Sequence, residues 1–177
     1  MSLKSNFELL ADYNQWMNQN ICLAISNLST DELAKDRGAF FGSIIGTLNH
    51  ILVGDIIWLK RFAEHPSDFK SLDYVRSLET PQSLNTMLHH ELMSLELTRS
   101  KIDSVIKEFV SELCDQTLSS NLTYKNSQGQ VFSKNFGYLL QHLFNDQTHH
   151  RGQVSTLLNQ LGIDLGVTDL VVRTPDE

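Results

Sequence analysis

Three histidines and one aspartate fall within nine residues near the C-terminal end of the chain, in His142-Leu-Phe-Asn-Asp146-Gln-Thr-His149-His150-Arg151. The segment otherwise reads as a helix. Residues four apart on a helix lie on one face with their Cβ atoms close together. Asp146 and His150 therefore have the spacing that lets one helix give two ligands to a single metal ion. Two ligands are not a site, and a third group must come from elsewhere. His50, a lone histidine in an unusually apolar helix, is the best candidate. The plainer alternative is a buried polar network. In it Asp146 only orients His150 or pairs with Arg151, and a backbone carbonyl satisfies His50.

At 100° per residue, the apolar face of this last helix centres on Phe136, Leu139, Leu140, Leu143, Val154, Leu157, Leu158 and Leu161. His150 falls in the middle of that face. Asp146 lies roughly 60° away, at the edge of the core, while His142 and His149 lie roughly 100° and 120° away. His149 is expected to point outward. An ionised aspartate beside a histidine at a core edge costs several kcal/mol unless it is paired or bound to a metal. The wheel of the helix around His50 is less decisive, because that helix is apolar nearly all round. Gly46, Val53, Gly54 and Ile57 share its face with His50. The two glycines leave room for a neighbouring helix or for a ligand cavity. Further along, Asp55 and Arg61 read as part of an intramolecular charge network and Trp58 as core. His65, His89 and His90 read as surface histidines.

Four helical periodicities must position these residues. The first runs from about Asn6 to Leu28, followed by a cap at Ser29-Thr-Asp-Glu32. The second runs from Ser43 to about Glu64, where His65-Pro66 stops it. Residues 67–80 form a connector with room for one short helical turn. The third starts after Thr80-Pro81 and ends near Leu113. The period then changes to two: Leu122–Lys125 and Gln130–Ser133 flank Asn126-Ser-Gln-Gly129, a small hairpin with glycine in its turn. The fourth helix spans about Lys134 to Leu161 and ends at Gly162. The tail through Val171-Val172 is apolar enough to pack before it frays at Pro175. These patterns predict a single all-α domain over residues 1–177, a four-helix bundle with a small β-hairpin before the last helix. The two long connections permit a crossover topology as well as up-down-up-down.

The bulk composition, with 41% hydrophobic and 20% charged residues, is that of an ordinary soluble globular protein. The net charge is −7 and the 14 basic residues are scattered, which argues against nucleic-acid binding. There is no signal peptide's apolar stretch at the N-terminus and no run of membrane-spanning length, so a cytoplasmic location is expected. Cys22 and Cys114 read as small buried hydrophobes in a reducing compartment.

Four stretches together resemble one known family. They are Tyr13-Asn-Gln-Trp16-Met-Asn18, Gly38-Ala-Phe-Phe-Gly-Ser43, Thr47-Leu-Asn-His50-Ile-Leu-Val-Gly-Asp55-Ile-Ile-Trp58-Leu-Lys-Arg61-Phe, and His149-His150-Arg151-Gly-Gln153. In this order they look like the DinB family of bundle proteins, which is unrelated to the DNA polymerase of that name. The resemblance implies an up-down-down-up bundle, commonly dimeric, with one divalent metal, typically nickel or zinc, held by three histidines. One family histidine matches His50. The other two form a His-x-x-x-His pair, whose second member matches His150 and whose first falls on Asp146. Aspartate is a competent ligand, and two histidines with one carboxylate is an open-site set for zinc or iron. It is shorter and harder than imidazole, which disfavours nickel. The departure also admits an empty site, or substitution by His142.

Two functional classes follow. One is a metal-dependent enzyme of the thiol S-transferase or isomerase type, acting on a low-molecular-weight thiol and an electrophile. No catalytic residue beyond the ligands is identifiable, although His142, Asp55, Arg61 and Arg151 are candidates to line or support the pocket. The other is a non-catalytic stress-response or dimeric interaction protein with a structural or vestigial metal site. A homodimer is expected from the family and from the all-round apolar second helix. No nucleic-acid or membrane partner is expected.

Overall fold

The computed structural model describes residues 2–176. In chain order the helices are α1 (Leu3–Ala24), α2 (Thr30–Ala34), α3 (Ile44–Phe62), α4 (Asp73–Ser77), α5 (Leu92–Glu112), α6 (Asp115–Ser119) and α7 (Phe136–Asn159). Strands β1 (Asn121–Lys125) and β2 (Val131–Asn135) lie between α6 and α7 and pair antiparallel, with Thr123 opposite Ser133. Short 3₁₀ turns cover Lys70–Leu72 and Leu170–Arg173.

Three of the four long helices start where polar side chains catch free backbone N–H groups. Ser2 caps α1 and Ser43 caps α3, while Asn135 accepts from the Tyr138 N–H at the start of α7. Ser29 and Glu32 form a reciprocal capping box at α2. Helix α5 has no side-chain cap, and its start differs from the sequence expectation. The predicted helix from Pro81 begins only at Leu92, because residues before it have their backbone groups taken by α3. The buried Asn49 side chain accepts from the N–H groups of Leu88 and His89 at 2.9 Å each and donates to the His89 carbonyl at 2.8 Å. The Leu84 carbonyl lies 3.0 Å from His50 Nδ1. A helix through 81–91 would turn those groups inward on itself.

Side-chain pairs set the helix directions. Lys4 Nζ donates to the Ser111 carbonyl while Asn18 meets Asp103, so α1 and α5 run antiparallel. Phe62 stacks on Phe109 and Asp55 pairs with Arg99, so α3 and α5 run parallel. His50 faces His150 and Phe62 meets Phe136, so α3 and α7 run antiparallel. The bundle is therefore up-down-down-up, with α1 and α3 on one diagonal and α5 and α7 on the other.

The core has two apolar halves. One, rich in phenylalanine, joins Phe7, Phe62, Phe109 and Phe136 and carries the hairpin through Leu122 and Tyr124. The other gathers Ile21, Ile25, Ile44, Leu48, Val154 and Leu158 near the α2 end. Between them lies a belt of buried polar side chains: Asn14, Asn18, Asp55, Arg99, Asp103, Gln147 and Arg151. Helix α3 is covered on its apolar circumference by α2, α5 and α7 of the same chain. Its composition thus needs no second subunit to explain it. The tail is tied back through Arg173, whose Nε donates to Asp12 at 3.0 Å, although Val171 and Val172 remain exposed.

Candidate metal centre

His50, one turn and a half into α3, and His150, on the third turn from the end of α7, meet across the helix interface. Their Nε2 atoms are 3.0 Å apart. Asp146, one turn before His150, brings Oδ1 to 3.6 Å from His150 Nε2. One donor atom from each of the three residues lies within 4.8 Å of the other two. Two ligands at ~2.0–2.1 Å from one ion, at angles of about 90–110°, are roughly 2.9–3.4 Å apart. The two imidazoles already have that separation, and the carboxylate is slightly beyond it.

The hydrogen bonds on the far side of each ring decide which nitrogen is free. His50 Nδ1 lies 3.0 Å from the Leu84 carbonyl, which can only accept, so Nδ1 carries the hydrogen. His150 Nδ1 lies 2.9 Å from Gln153 Oε1, while the amide nitrogen of Gln153 points to His149 Nε2 at 3.2 Å. With the Gln153 amide in this orientation its oxygen accepts, and His150 Nδ1 also carries the hydrogen. Both Nε2 lone pairs consequently point into the same space. A carbonyl or carboxamide behind a histidine is how metal-binding imidazoles are held in tautomer and orientation. Burial pushes the His50 pKa down, which keeps the ring neutral and its lone pair available at pH 7. The donor set and its tautomers thus fit a divalent cation.

The surroundings close one side and leave the other open. The Phe41 ring stacks on His50 with centroids 3.7 Å apart and meets His150 edge-on. It is delivered by the tight 39–42 turn, in which Gly42 adopts φ +73°. Gly46 makes that approach possible, since a Cβ there would sit 2.3 Å from the Phe41 carbonyl oxygen. Gly54 serves the open side. A Cβ at Gly54 would lie 3.6 Å from Asp146 Oδ2, with nothing else near. Asp146 itself is partly exposed, its side chain keeping 32% of its free surface.

Beneath the cluster, the belt fixes the two helices that carry it. Asp55 pairs with Arg99 of α5 and accepts from Gln147 at 2.7 Å. Burial pushes the Asp55 carboxyl up to about 6 against the pull of Arg99, which leaves it ionised at pH 7. Arg99 also reaches Asp103 at 2.9 Å, and Asp103 accepts from Asn14 and Asn18 at 3.0 Å each. Arg151 donates to Asn14; burial lowers its pKa to about 10, and it stays charged at neutral pH.

Several sequence expectations are corrected by this geometry. Asp55 does not pair with Arg61; its partners come from α5 and α7. Arg61 instead sits 4.5 Å from the Trp58 ring centroid and 5.0 Å from that of Tyr124. Arg151 pairs with Asn14 rather than Asp146, which removes the proposed Asp146–Arg151 pair. His142 lies outside the cluster and packs edge-on to Trp58, with centroids 5.1 Å apart. His149 is exposed, as its wheel position requires. His65 is buried, not on the surface. Its Nδ1 accepts from the Ser67 N–H, so Nε2 donates to the Ser120 hydroxyl at 2.9 Å. That polarity ties the turn after α3 to the residue following α6 and leaves no base acting on Ser120. His89 is half-buried through its backbone ties to Asn49, and His90 is exposed. Cys22 is buried, whereas Cys114 is exposed.

The sequence reading missed the belt residues Asn14, Asn18, Arg99, Asp103 and Gln147. A signal was present: Asn14/Asn18, Arg99/Asp103 and Gln147/Arg151 are polar pairs at four-residue spacing within apolar helix stripes. It also missed Phe41 and Gln153, the groups that cover and orient the two imidazoles.

Comparison with known proteins identifies the family of the chain. "Protein DinB" of Bacillus subtilis (strain 168) is 25% identical over 161 residues, covering 90% of this chain and 88% of that protein. The profile of the DinB family matches residues 1–175. With that match running through all four helices and the hairpin, the chain belongs to the DinB family.

Proposed function

We propose that His50, Asp146 and His150 bind one divalent metal ion, zinc ahead of nickel, and that the protein is a metal-dependent enzyme of the thiol S-transferase or isomerase type. The observation that carries the reading is the pair of Nδ1-anchored imidazoles with their Nε2 lone pairs 3.0 Å apart beside a carboxylate. Without a cation or a shared proton those lone pairs repel each other. Asp146 in place of a third imidazole supplies a hard oxygen donor, which favours zinc over nickel.

Three protein ligands leave positions for an exogenous group. A divalent ion bound there supplies Lewis acidity and lowers the pKa of a thiol brought to it. The chain's own residues do the rest. Leu84 and Gln153 hold the imidazoles in one tautomer, Phe41 shields His50 from water, and the absence of a side chain at Gly54 keeps the approach beside Asp146 clear. The substrate class in this reading is a low-molecular-weight thiol with an electrophilic partner.

A second reading is a non-catalytic stress-response module in which the ion serves only the fold. It is favoured by the way His50 and His150 would cross-link α3 to α7. The two readings separate in one experiment on untagged, metal-stripped protein. Calorimetry with zinc and nickel should give one ion per chain in the wild type and none in His50→Ala or His150→Ala. Variants that keep the wild-type melting temperature without metal support the open site; variants that unfold support the structural ion. No binding by wild type excludes both.

A homodimer is part of the reading. Leu23 of α1 and Met93 and Leu97 of α5 lie at matching levels of an antiparallel helix pair, and each is at least 70% exposed. That face offers the apolar surface a partner would cover. Two free cysteines suit a reducing, cytoplasmic setting, and among the described residues no helix is long and apolar enough to cross a membrane.

A further inference from the structure

Arg61 is a half-buried cation that no carboxylate pairs with directly among the described residues, although the exposed Glu64 shares its cleft. Its guanidinium lies 4.5 Å from the ring centroid of Trp58 and 5.0 Å from that of Tyr124. Among the described residues it makes no side-chain hydrogen bond and no ion pair, although Glu64 is only three positions on. Both arginines of the belt, Arg99 and Arg151, are committed to a carboxylate or an amide. Arg61 instead lines a cleft of about 350 Å³ between α3 and the hairpin, with Glu64, Thr123, Tyr124, Lys125 and Val131. An arginine carries five donors in a planar fork that matches two oxygens of one anion. Aromatic contacts fix the plane of the fork and leave those donors unused. Lys125 adds a second positive charge at the rim, so the cleft holds two cations and one exposed carboxylate.

We propose that this cleft is a subsite for an oxyanion, a carboxylate or a phosphate, carried by a small organic ligand. Trp58 links it to the candidate metal centre. The indole touches Arg61 on one side and His142 on the other, and His142 is one turn before Asp146. Arg61 follows Gly54 by seven residues and His50 by eleven on the same helix, which is roughly 10–16 Å along its axis. A ligand with its oxyanion at Arg61 and a donor atom at His50, Asp146 and His150 is thus elongated, spanning that length. This extension rests on the metal-site reading; the oxyanion subsite does not.

The test uses the full chain with malonate and, separately, inorganic phosphate as probes, followed by NMR at the Arg61 Nε–H and the Trp58 indole N–H. At least one probe should shift both signals saturably, and the one that does identifies the anion class. Sodium chloride at matched ionic strength should not. Arg61→Met keeps the stem packing and should weaken binding at least tenfold. Arg61→Lys, a point charge without the fork, should fall between. His150→Ala should bind the anion as wild type does. Absence of a saturable shift with either probe, an equal shift with chloride, or unchanged binding in Arg61→Met overturns the subsite. Anion binding at Arg61 in a chain that takes up no metal keeps the subsite and removes the metal reading. Metal uptake without anion binding does the reverse.

Discussion

The Nε2 atoms of His50 and His150 face each other at 3.0 Å, and the acceptors behind both rings leave those nitrogens without a hydrogen. Histidine pairs packed only for stability usually let one ring donate to the other. Here Leu84 takes the hydrogen of one ring and Gln153 that of the other, so neither can donate across the gap. Burial lowers the His50 pKa and works against a shared proton. The pair could hold a cation, and Asp146 is the adjacent carboxylate.

In the proposed metal centre, Asp146 is the residue that tunes the choice of ion. Asp146→His should raise nickel affinity, and Asp146→Ala should weaken binding of every divalent ion, by about tenfold or more. Calorimetry in which Asp146→Ala binds zinc as tightly as wild type would exclude Asp146 as a ligand.

Two glycines of α3 should respond in opposite directions. Gly54→Ala places its Cβ at an ordinary contact distance from Asp146 Oδ2 and removes a helix-interior glycine. It should stabilise the fold by about 1 kcal/mol. Gly46→Ala drives its Cβ into the Phe41 carbonyl and should destabilise the fold by about 1–3 kcal/mol, loosening Phe41 from His50. Urea denaturation of both variants measures the two signs, and equal shifts would contradict the close approach at Gly46.

Removing Arg99 tests the belt. Asp55 and Asp103 are each only 2% exposed, and Arg99→Leu leaves both without their central cation. The cost should be about 3–5 kcal/mol at neutral pH. The Asp55 carboxyl, already raised by burial to about 6, would rise further. A folded-state pKa above the unfolded value of 3.8 means stability is lost as pH climbs through that window. The variant should therefore be more stable at pH 5 than at pH 8, and the opposite order in urea melts would refute the belt's charge assignment.

The tail clamp should fail in acid. The Arg173 hydrogen bond leads the causes that hold the Asp12 pKa below its ordinary 3.8. A lowered folded value contributes stability above pH 3.8 that is lost as pH falls through the lowered value. Hydrogen exchange at residues 168–174 should accelerate below that range, and Asp12→Asn should show the fast exchange already at pH 7. Asp12 is a third exposed, so the effect on global stability should stay under about 1 kcal/mol.

Much of the architecture was legible because helices and hairpins leave local signatures. The 3.6-residue periodicities located all four long helices, and the switch to a period of two located the hairpin within a residue or two. The third helix was misplaced at its start because Thr80-Pro81 is a sound local signal that buried α3 side chains override. Asn49 and His50 capture the backbone of residues 84–89, and no local pattern announces a bond made 34–40 residues away.

The site divides in the same way. The four-residue spacing of Asp146 and His150 belongs to one helix, so the sequence by itself determined that they share a face. Where His50 points was decided only by the tertiary structure, because a helix apolar all round has no preferred side until its neighbours pack. The same holds for the partner of Asp55, which is Arg99, 44 residues on, rather than Arg61, six residues on. Six residues along a helix turn a side chain about 120° round the axis, and α5 arrives on the face that Asp55 presents. Arg61 is left on the other face with two aromatic rings and an open cleft. Residue spacing determines what shares a helix face; packing determines what that face meets.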